Sequence, residues 1–458
     1  MIELKVCEVA SSAGGEAFSI DPEAVVNGFS IDSRAIMPGQ FFIAIKGERF
    51  DGHDFLEDAA AGGAAGLIVE PPLAKEFAGK VGHVIVVENT RKAMGRIAAA
   101  IRSRSDIPVV CVTGTNGKTT VKEILSQLLS RRYNVLKSPK SYNNIIGLSL
   151  TLFGLEKGHD AAVLELGTNH PGEISELAAI AGPRMAIITN IGNGHLESFL
   201  TREGVLAEKI SLLDSLREDG TAFLNRDDEL LRKKGAGYRN VKYFGMSPEC
   251  EFGISGISRR GDGYDFSCGG ERYFSPLEGV HNIYNAAAAI GAARYLGVSC
   301  DEIRERLAGF SGPGMRLEKV EINGITFMND SYNANPDSFE CALRVLSDGY
   351  DTARKGVAAG DMMELGPESD NLHRAVGTSV AEKGFDFLVV CGEKAAHIAE
   401  GAIMAGMERD KVFYAGSRRE AAELIGKAAR PGTVVLLKGS RASKMEEVLK
   451  CFTTYCTL

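Results

Sequence analysis

The chain has 458 residues, 44% of them apolar and 24% charged, with a formal net charge of −8. At about 150 residues per domain this length implies three domains, and the composition permits well-packed cores. The acidic balance excludes non-specific nucleic-acid binding through a basic surface, so phosphates must be held by local devices such as helix N-termini and single lysines.

At the start of the chain, "MIELKVCEVASSAGGEAF" lacks a basic region followed by an apolar core, and no secretion signal is expected. No uncharged apolar run approaches the roughly 18 residues of a membrane span, so no membrane insertion is expected either. The first hundred residues are short apolar runs broken by Gly, Pro and Asp. "QFFIAIKG", "GLIVE" and "HVIVVE" predict strands, and "FLEDAAAGGAAG" a helix. "TRKAMGRIAAAIRSRSDIP" predicts a helix ending near Pro108. A boundary near residue 105 leaves a small α/β unit over 1–104.

From there strands and helices alternate, the pattern of a parallel sheet with helices on its faces. "VVCVTG" predicts a strand and "KTTVKEILSQLLSRR" a helix; "AAVLELG" and "MAIITNIG" are strands apolar enough to be buried on both sides. Residues 250–275, rich in Gly, predict a small antiparallel excursion, and "HNIYNAAAAIGAARYLG" a helix. "GFSGPGMR" reads as a second linker, giving a central unit over 105–314 and a last unit over 315–458. The last unit carries "ITFMNDSY", "KGVAAGDM", "FDFLVVCG", "KVFYAG" and "TVVLLKGS", each followed by helical sequence, and predicts a second, Rossmann-like doubly wound sheet. The nine cysteines form no C-x-x-C pair, and several, Cys111 and Cys391 among them, lie in apolar runs. That usage suits buried free thiols in a reducing cytoplasm.

The stretch with the most chemistry is "VVCVTGTNGKTT" (109–120). It nearly spells a P-loop, but Val112 stands where the first glycine of that pattern belongs. Gly114 and Gly117 permit positive φ, so the backbone of Gly114, Thr115, Asn116 and Gly117 can turn N–H groups onto phosphate oxygens. Lys118 would neutralise β- and γ-phosphate charge, the Thr119 hydroxyl would reach Mg²⁺, and Thr120, next in the helix start, is expected with them among the ATP-binding residues. A plain strand-to-helix turn capped by threonine is the alternative, and the strand before and helix after favour nucleotide binding. Glu165 ends "AAVLELG" and His195 follows "ITNIGNG", both at strand ends where side chains ligate metals. Either residue alone would as readily be structural; with Thr119 at the same sheet edge they point to a metal site.

These motifs closely resemble the Mur ligase family, ATP-dependent enzymes that build the peptide stem of bacterial peptidoglycan, whose P-loop variant G-T-N-G-K-T accounts for Val112. "FFIAIKGERFDGHDFLEDA" looks like a uridine-nucleotide domain. "YNNIIGLSLTL", "LELGTNHPGEI", "ITNIGNGHLESF" and "GVHNIYNAAAA" resemble the central ATPase domain. "NDSYNANPDSF", "AGDMMELGPESDNLHRAVG" and "LLKGSRASKMEEV" resemble the C-terminal domain. The last group is most like members that join D-alanyl-D-alanine to UDP-N-acetylmuramoyl-tripeptide; members that add a single third amino acid typically carry D-N-P-R, absent here, and remain the alternative.

The resemblance implies a cytoplasmic, monomeric enzyme that uses ATP and Mg²⁺. It implies Lys118, His195 and Lys209 as catalytic groups and Thr119, Glu165, His195 and Lys209 around magnesium. Lys209 stands where the family has a lysine carboxylated by carbon dioxide, although Ser211 replaces a glutamate often found two residues later. Asn282, Arg316 and Asp330 resemble contacts to adenine, phosphate and ribose. Ser33, Arg34 and Lys46 resemble contacts to the uridine diphosphate. Asn144, Asn333 and Asn335 resemble contacts to the peptide substrates, with a rigid turn as the alternative for the last two.

Overall fold

The structure is a computed structural model that describes every residue except Met1, Glu48, 72–76, Ala78, Asp351 and Leu458. It is an α/β molecule with three principal sheets, and the apolar pattern of the strands explains how they are stacked.

The first sheet has the order Glu16–Ser19, His83–Val86, Gly66–Val69, Phe41–Ile43, Phe29–Ser30, antiparallel at its first pair and parallel beyond it. The helix expected in "FLEDAAAGGAAG" covers only Leu56–Ala61. The glycines after it favour leaving the helix, since they stabilise a helical backbone poorly. Helix Thr90–Ser103 is held at its start by Asn89, whose side chain accepts the Lys92 N–H, and it stops five residues before Pro108. Its buried Met94, Ile97 and Ile101 belong to one apolar cluster with Leu148 and Leu177 of the central unit. The N-terminal and central units therefore share a core.

The central sheet has nine strands. Its heart is Thr221–Asn225, Met185–Ile188, Val109–Thr113 and Ala161–Glu165, all parallel neighbours. Each of the last three is buried along its whole length, as apolar runs covered on both faces must be. Short strands Val135–Lys137 and Val241–Gly245 flank them. The Gly-rich 250–275 region forms the antiparallel strands Phe252–Arg260, Gly263–Cys268 and Glu271–Ser275. Helices Lys118–Leu129 and Val280–Tyr295 lie together on one face, packed through alanines and leucines.

The third sheet has the order Glu318–Ile322, Ile325–Asp330, Val434–Lys438, Lys355–Gly360, Phe387–Cys391, Val412–Tyr414, parallel except for its first hairpin. Strand Val434–Lys438, last in sequence, is inserted between the second and third of the unit, so Asp330 and Lys438 end opposite each other in register. Cys111, Cys268 and Cys391 are buried free thiols; the side chain of Cys456 lies outside the described residues. No helix among the described residues is long and apolar enough to cross a membrane.

Candidate active site

The carboxyl ends of three adjacent strands bring the loop 114–117, Glu165 and the 189–192 segment together. Gly114 has φ of 146°, and a Cβ there would lie 1.9 Å from Thr189 Oγ1. Gly117 has φ of 84°, and its Cβ would lie 2.3 Å from Asn285 Oδ1 on the neighbouring helix. Both positions require glycine for backbone angle and for space.

Two N–H groups expected to line a phosphate cradle are used otherwise. Thr115 N–H donates to the Asn190 carbonyl at 3.0 Å and Asn116 N–H to Asn190 Oδ1 at 3.0 Å. Gly192 N–H donates to Thr115 Oγ1 at 2.9 Å. These bonds fasten the loop to the next strand end. The N–H groups of Gly117, Lys118 and Thr119 have no protein acceptor among the described residues, as the first turn of a helix dictates, and the helix dipole favours an anion beside them.

Lys118 Nζ folds back over the loop and donates to the carbonyls of Gly114 (2.7 Å) and Thr115 (3.0 Å). Burial pushes its pKa below the ordinary lysine value, opposed by the nearby Glu165 carboxylate. Glu165, 1% exposed, accepts from Thr119 Oγ1 and from Asn143 Nδ2, each at 2.9 Å. Thr119 Oγ1 also accepts from Arg316 Nη2 at 2.9 Å, and the Arg316 guanidinium lies 4.3 Å from the centre of the Tyr332 ring. A cleft of about 1400 Å³ opens at Thr119, Arg316 and Tyr332.

Thr119 and Glu165 form a pair of hard oxygen donors beside a helix N-terminus. That donor chemistry fits Mg²⁺, which takes one or two carboxylates and completes its shell with phosphate oxygens and water. His195 stands apart from this pair in its partner. It precedes the short helix Leu196–Phe199 with φ of 57°, and its Nδ1 lies 2.6 Å from Glu364 Oε2 of the C-terminal unit. No group of three or more His, Cys, Asp or Glu side chains is arranged so that it could hold a metal ion among the described residues.

Lys209, on helix Arg202–Asp214, is 1% exposed, and its side chain forms no hydrogen bond or ion pair among the described residues. Burial drives its pKa well below the ordinary 10.5; the Lys118 charge acts in the same direction and Glu208 against it. Ser211, in place of the often-found glutamate, donates back to the Glu208 carbonyl of its own helix at 2.6 Å.

The remaining residues fall in three places. Asp330 pairs with Lys438 and accepts the Leu317 N–H at 3.2 Å. Asn282 Nδ2 donates to the Glu278 carbonyl at 2.7 Å, while its Oδ1 accepts from Asn285. Its neighbour His281 is pushed down to about 4 by burial, with Asp330 opposing. Asn335 caps helix Pro336–Gly349 and also donates to Asn116 Oδ1 at 2.9 Å, bridging the central and C-terminal units. Asn333 contributes its carbonyl to Lys438. Asn144 caps helix Ile145–Phe153, so the preceding Asn143 is the one whose side chain reaches Glu165. In the N-terminal unit, Arg34 is held by Asp32 in the turn Ser33–Ala35, and Lys46 lies 3.9 Å from Asp51.

Sequence reasoning missed Asn143, Asn190, Asp337 and Glu364. Asp337 accepts from the Asn193 N–H (2.5 Å) and Nδ2 (3.0 Å) across the same interdomain junction. Both acids lie in motifs that the resemblance singles out, but only the packed junction shows what they face.

Three family models cover the chain in succession: the Mur ligase family catalytic domain over 25–102, the Mur ligase middle domain over 112–293, and the Mur ligase glutamate ligase domain over 315–441. The chain is 33% identical to the UDP-N-acetylmuramoyl-tripeptide–D-alanyl-D-alanine ligase of Bacillus subtilis, with 98% of each chain covered. It is 34% identical to the ligase of the same name from Escherichia coli, again over 98% of each. The chain belongs to the Mur ligase family. Among solved structures, this Mur ligase is similar to MurF from Acinetobacter baumannii, with a TM-score of 0.89, 30% identity and 99% of each chain covered. It is also similar to MurF ligase from Thermotoga maritima, solved in complex with ADP, with a TM-score of 0.84, 29% identity, and 94% of this chain and 97% of that one covered.

Proposed function

We propose that this Mur ligase joins D-alanyl-D-alanine to UDP-N-acetylmuramoyl-tripeptide, driven by ATP, in the cytoplasmic synthesis of peptidoglycan precursors. The observation that carries it is end-to-end similarity to ligases of that name in a chain whose Lys118, Thr119 and Glu165 converge at one helix N-terminus. The tripeptide's terminal carboxylate attacks the γ-phosphorus of ATP, giving an acyl phosphate and ADP. The amine of D-alanyl-D-alanine adds to the acyl carbon, and the tetrahedral intermediate expels phosphate.

The obstacle is the approach of two anions, carboxylate and γ-phosphate. Lys118 exchanges its loop carbonyls for phosphate oxygens, and the first-turn N–H groups of residues 117–119 donate to the same group. Arg316 moves from Thr119 onto phosphate, Asn282 holds adenine, and Asp330 holds ribose. Thr119 and Glu165 would hold one Mg²⁺, His195 and a carbamylated Lys209 a second. The ions would screen the repulsion and stabilise charge on the transferring group. Burial favours this carbamylation, because it shifts the Lys209 amine towards its neutral form, the one that adds to carbon dioxide with loss of a proton.

Residues 1–104 bind the uridine nucleotide through Ser33, Arg34 and Lys46, residues 105–314 bind ATP, and residues 315–458 bind the dipeptide. Asn144 contacts the acceptor stem, and Asn333 and Asn335 shape the dipeptide pocket. The working unit is a monomer. The test is phosphate release by purified protein given ATP and each UDP-peptide with either D-alanyl-D-alanine or a single amino acid. Release should require both the tripeptide and the dipeptide; turnover without an acceptor, or only with a single amino acid, overturns the proposal.

A further inference from the structure

At the junction of the central and C-terminal units, two residues with left-handed backbone face each other. His195 has φ of 57° and Glu364 of 63°, a conformation uncommon outside glycine that histidine adopts more readily than most residues and glutamate keeps where its surroundings hold it. The contact has two points. The Glu364 carbonyl accepts the Glu197 N–H at 3.2 Å, and its Oε2 lies 2.6 Å from His195 Nδ1.

That ring nitrogen is sealed from solvent, and no well-aligned acceptor reaches it among the described residues. The Glu364 carboxylate oxygen at 2.6 Å lies off the line of a well-formed hydrogen bond to it. A buried N–H without an acceptor is costly, so the carboxylate beside it is its natural partner. A neutral imidazole that donates through Nδ1 keeps its lone pair on Nε2.

We propose that Glu364 is a positioning residue for His195: its carboxylate accepts the Nδ1–H and fixes the tautomer with Nε2 as the lone-pair nitrogen, while the C-terminal unit is docked on the central one. The functional consequence rests on the ligase function proposed above, in which His195 acts at the phosphate edge. There the arrangement resembles the carboxylate–histidine pairs that orient metal-binding imidazoles. It differ from most such pairs in that orienter and histidine belong to different units, so the state of the ring reports whether the units are docked.

The test uses full-length protein with ¹⁵N-labelled histidine, free of nucleotide and metal, at a pH where imidazoles are neutral. The His195 signal is assigned by its disappearance in His195→Gln. Wild type should show His195 as the Nδ1–H tautomer. Glu364→Ala should shift it towards the Nε2–H form that free histidine prefers, and Glu364→Gln should retain Nδ1–H through its amide oxygen. Circular dichroism checks that both variants fold. In the phosphate-release assay, Glu364→Ala should lose roughly tenfold or more in kcat and Glu364→Gln should recover most of it. Wild-type His195 in the Nε2–H form, or an unchanged tautomer in Glu364→Ala, overturns the proposal. The spectroscopic arm needs neither ATP nor peptide, so its failure leaves the ligase function standing. Conversely, a wild-type protein that releases no phosphate removes the ligase function and leaves the tautomer result intact.

Discussion

Lys118 and Lys209 are both lysines held below their ordinary pKa, but in different surroundings. Lys118 has carbonyl acceptors and the Glu165 carboxylate nearby, so its ammonium is supported in place. Lys118→Ala should therefore cost on the order of 10²–10³-fold in kcat while the protein keeps its circular dichroism spectrum; full turnover in that variant would be incompatible with the phosphate role. The Lys209 ammonium has no hydrogen-bonded partner among the described residues, and its folded-state pKa is lowered. The unfolded chain thus binds the extra proton, and stability rises as pH climbs towards 10.5, with a slope of up to about 1.4 kcal/mol per pH unit inside the window. In buffer free of carbon dioxide, Lys209→Met should be the more stable protein at neutral pH, with the gap closing on the alkaline side. Adding bicarbonate should raise the urea midpoint of wild type alone. A pH-independent gap, or no bicarbonate effect, would count against a buried, carbamylated lysine.

At the scale of elements, the sites depend on how strand ends and helix starts are tied down. Glu208 is buried and serves a joint rather than the chemistry. Its carboxylate accepts from Thr168 Oγ1 (3.1 Å), Gly172 N–H (2.7 Å) and Ile174 N–H (2.7 Å), pinning the loop after Glu165 and the start of helix Glu173–Ala181 to the helix that carries Lys209. Glu208→Ala leaves the Gly172 and Ile174 N–H groups without acceptors, while Thr168 Oγ1 keeps the His170 carbonyl, and should cost about 2–4 kcal/mol in urea unfolding. A loss under about 0.5 kcal/mol, the level of an ordinary surface change, would show that the joint is not held this way. Lys122 plays a similar part: its buried Nζ donates to the Ser138 and Lys140 carbonyls, fixing the chain that leads to Asn143. The long, uniformly apolar strands were legible in the sequence because their pattern reports burial on both faces. Strands Val135–Lys137, Thr221–Asn225, Val241–Gly245 and Glu318–Ile322 were not named there. The first has no fully buried residue and the last is mostly exposed, so they carry little of that signal.

On the scale of the whole molecule, side-chain contacts between the C-terminal unit and the carboxyl edge of the central sheet among the described residues include Arg316 to Thr119, Asn335 to Asn116, Asp337 to Asn193, and Glu364 to His195. Each central partner lies in the phosphate loop or in the segment after strand Met185–Ile188, so docking and site assembly are one event. That geometry suits a reaction whose acyl phosphate must be kept from water. Asp337→Ala removes two bonds to a charged acceptor, worth about 1.5–3 kcal/mol each when well formed. It should raise the open population by about a hundredfold or more, read as faster limited proteolysis within 309–316, with secondary structure unchanged. Unaltered cleavage would mean that this contact does not restrain the unit.

By itself the sequence determined the α/β class, the phosphate loop and the family. Each is written in local pattern: apolar runs, glycines at a strand-to-helix turn, and motif residues close together in the chain. Only the tertiary structure decided which partners those residues have. Thr119 meets Glu165 across 46 positions, Asn116 meets Asn335 across 219, and His195 turns to Glu364. Such pairings depend on strand order and on how two separate sheets are docked, and short-range periodicity carries no record of either.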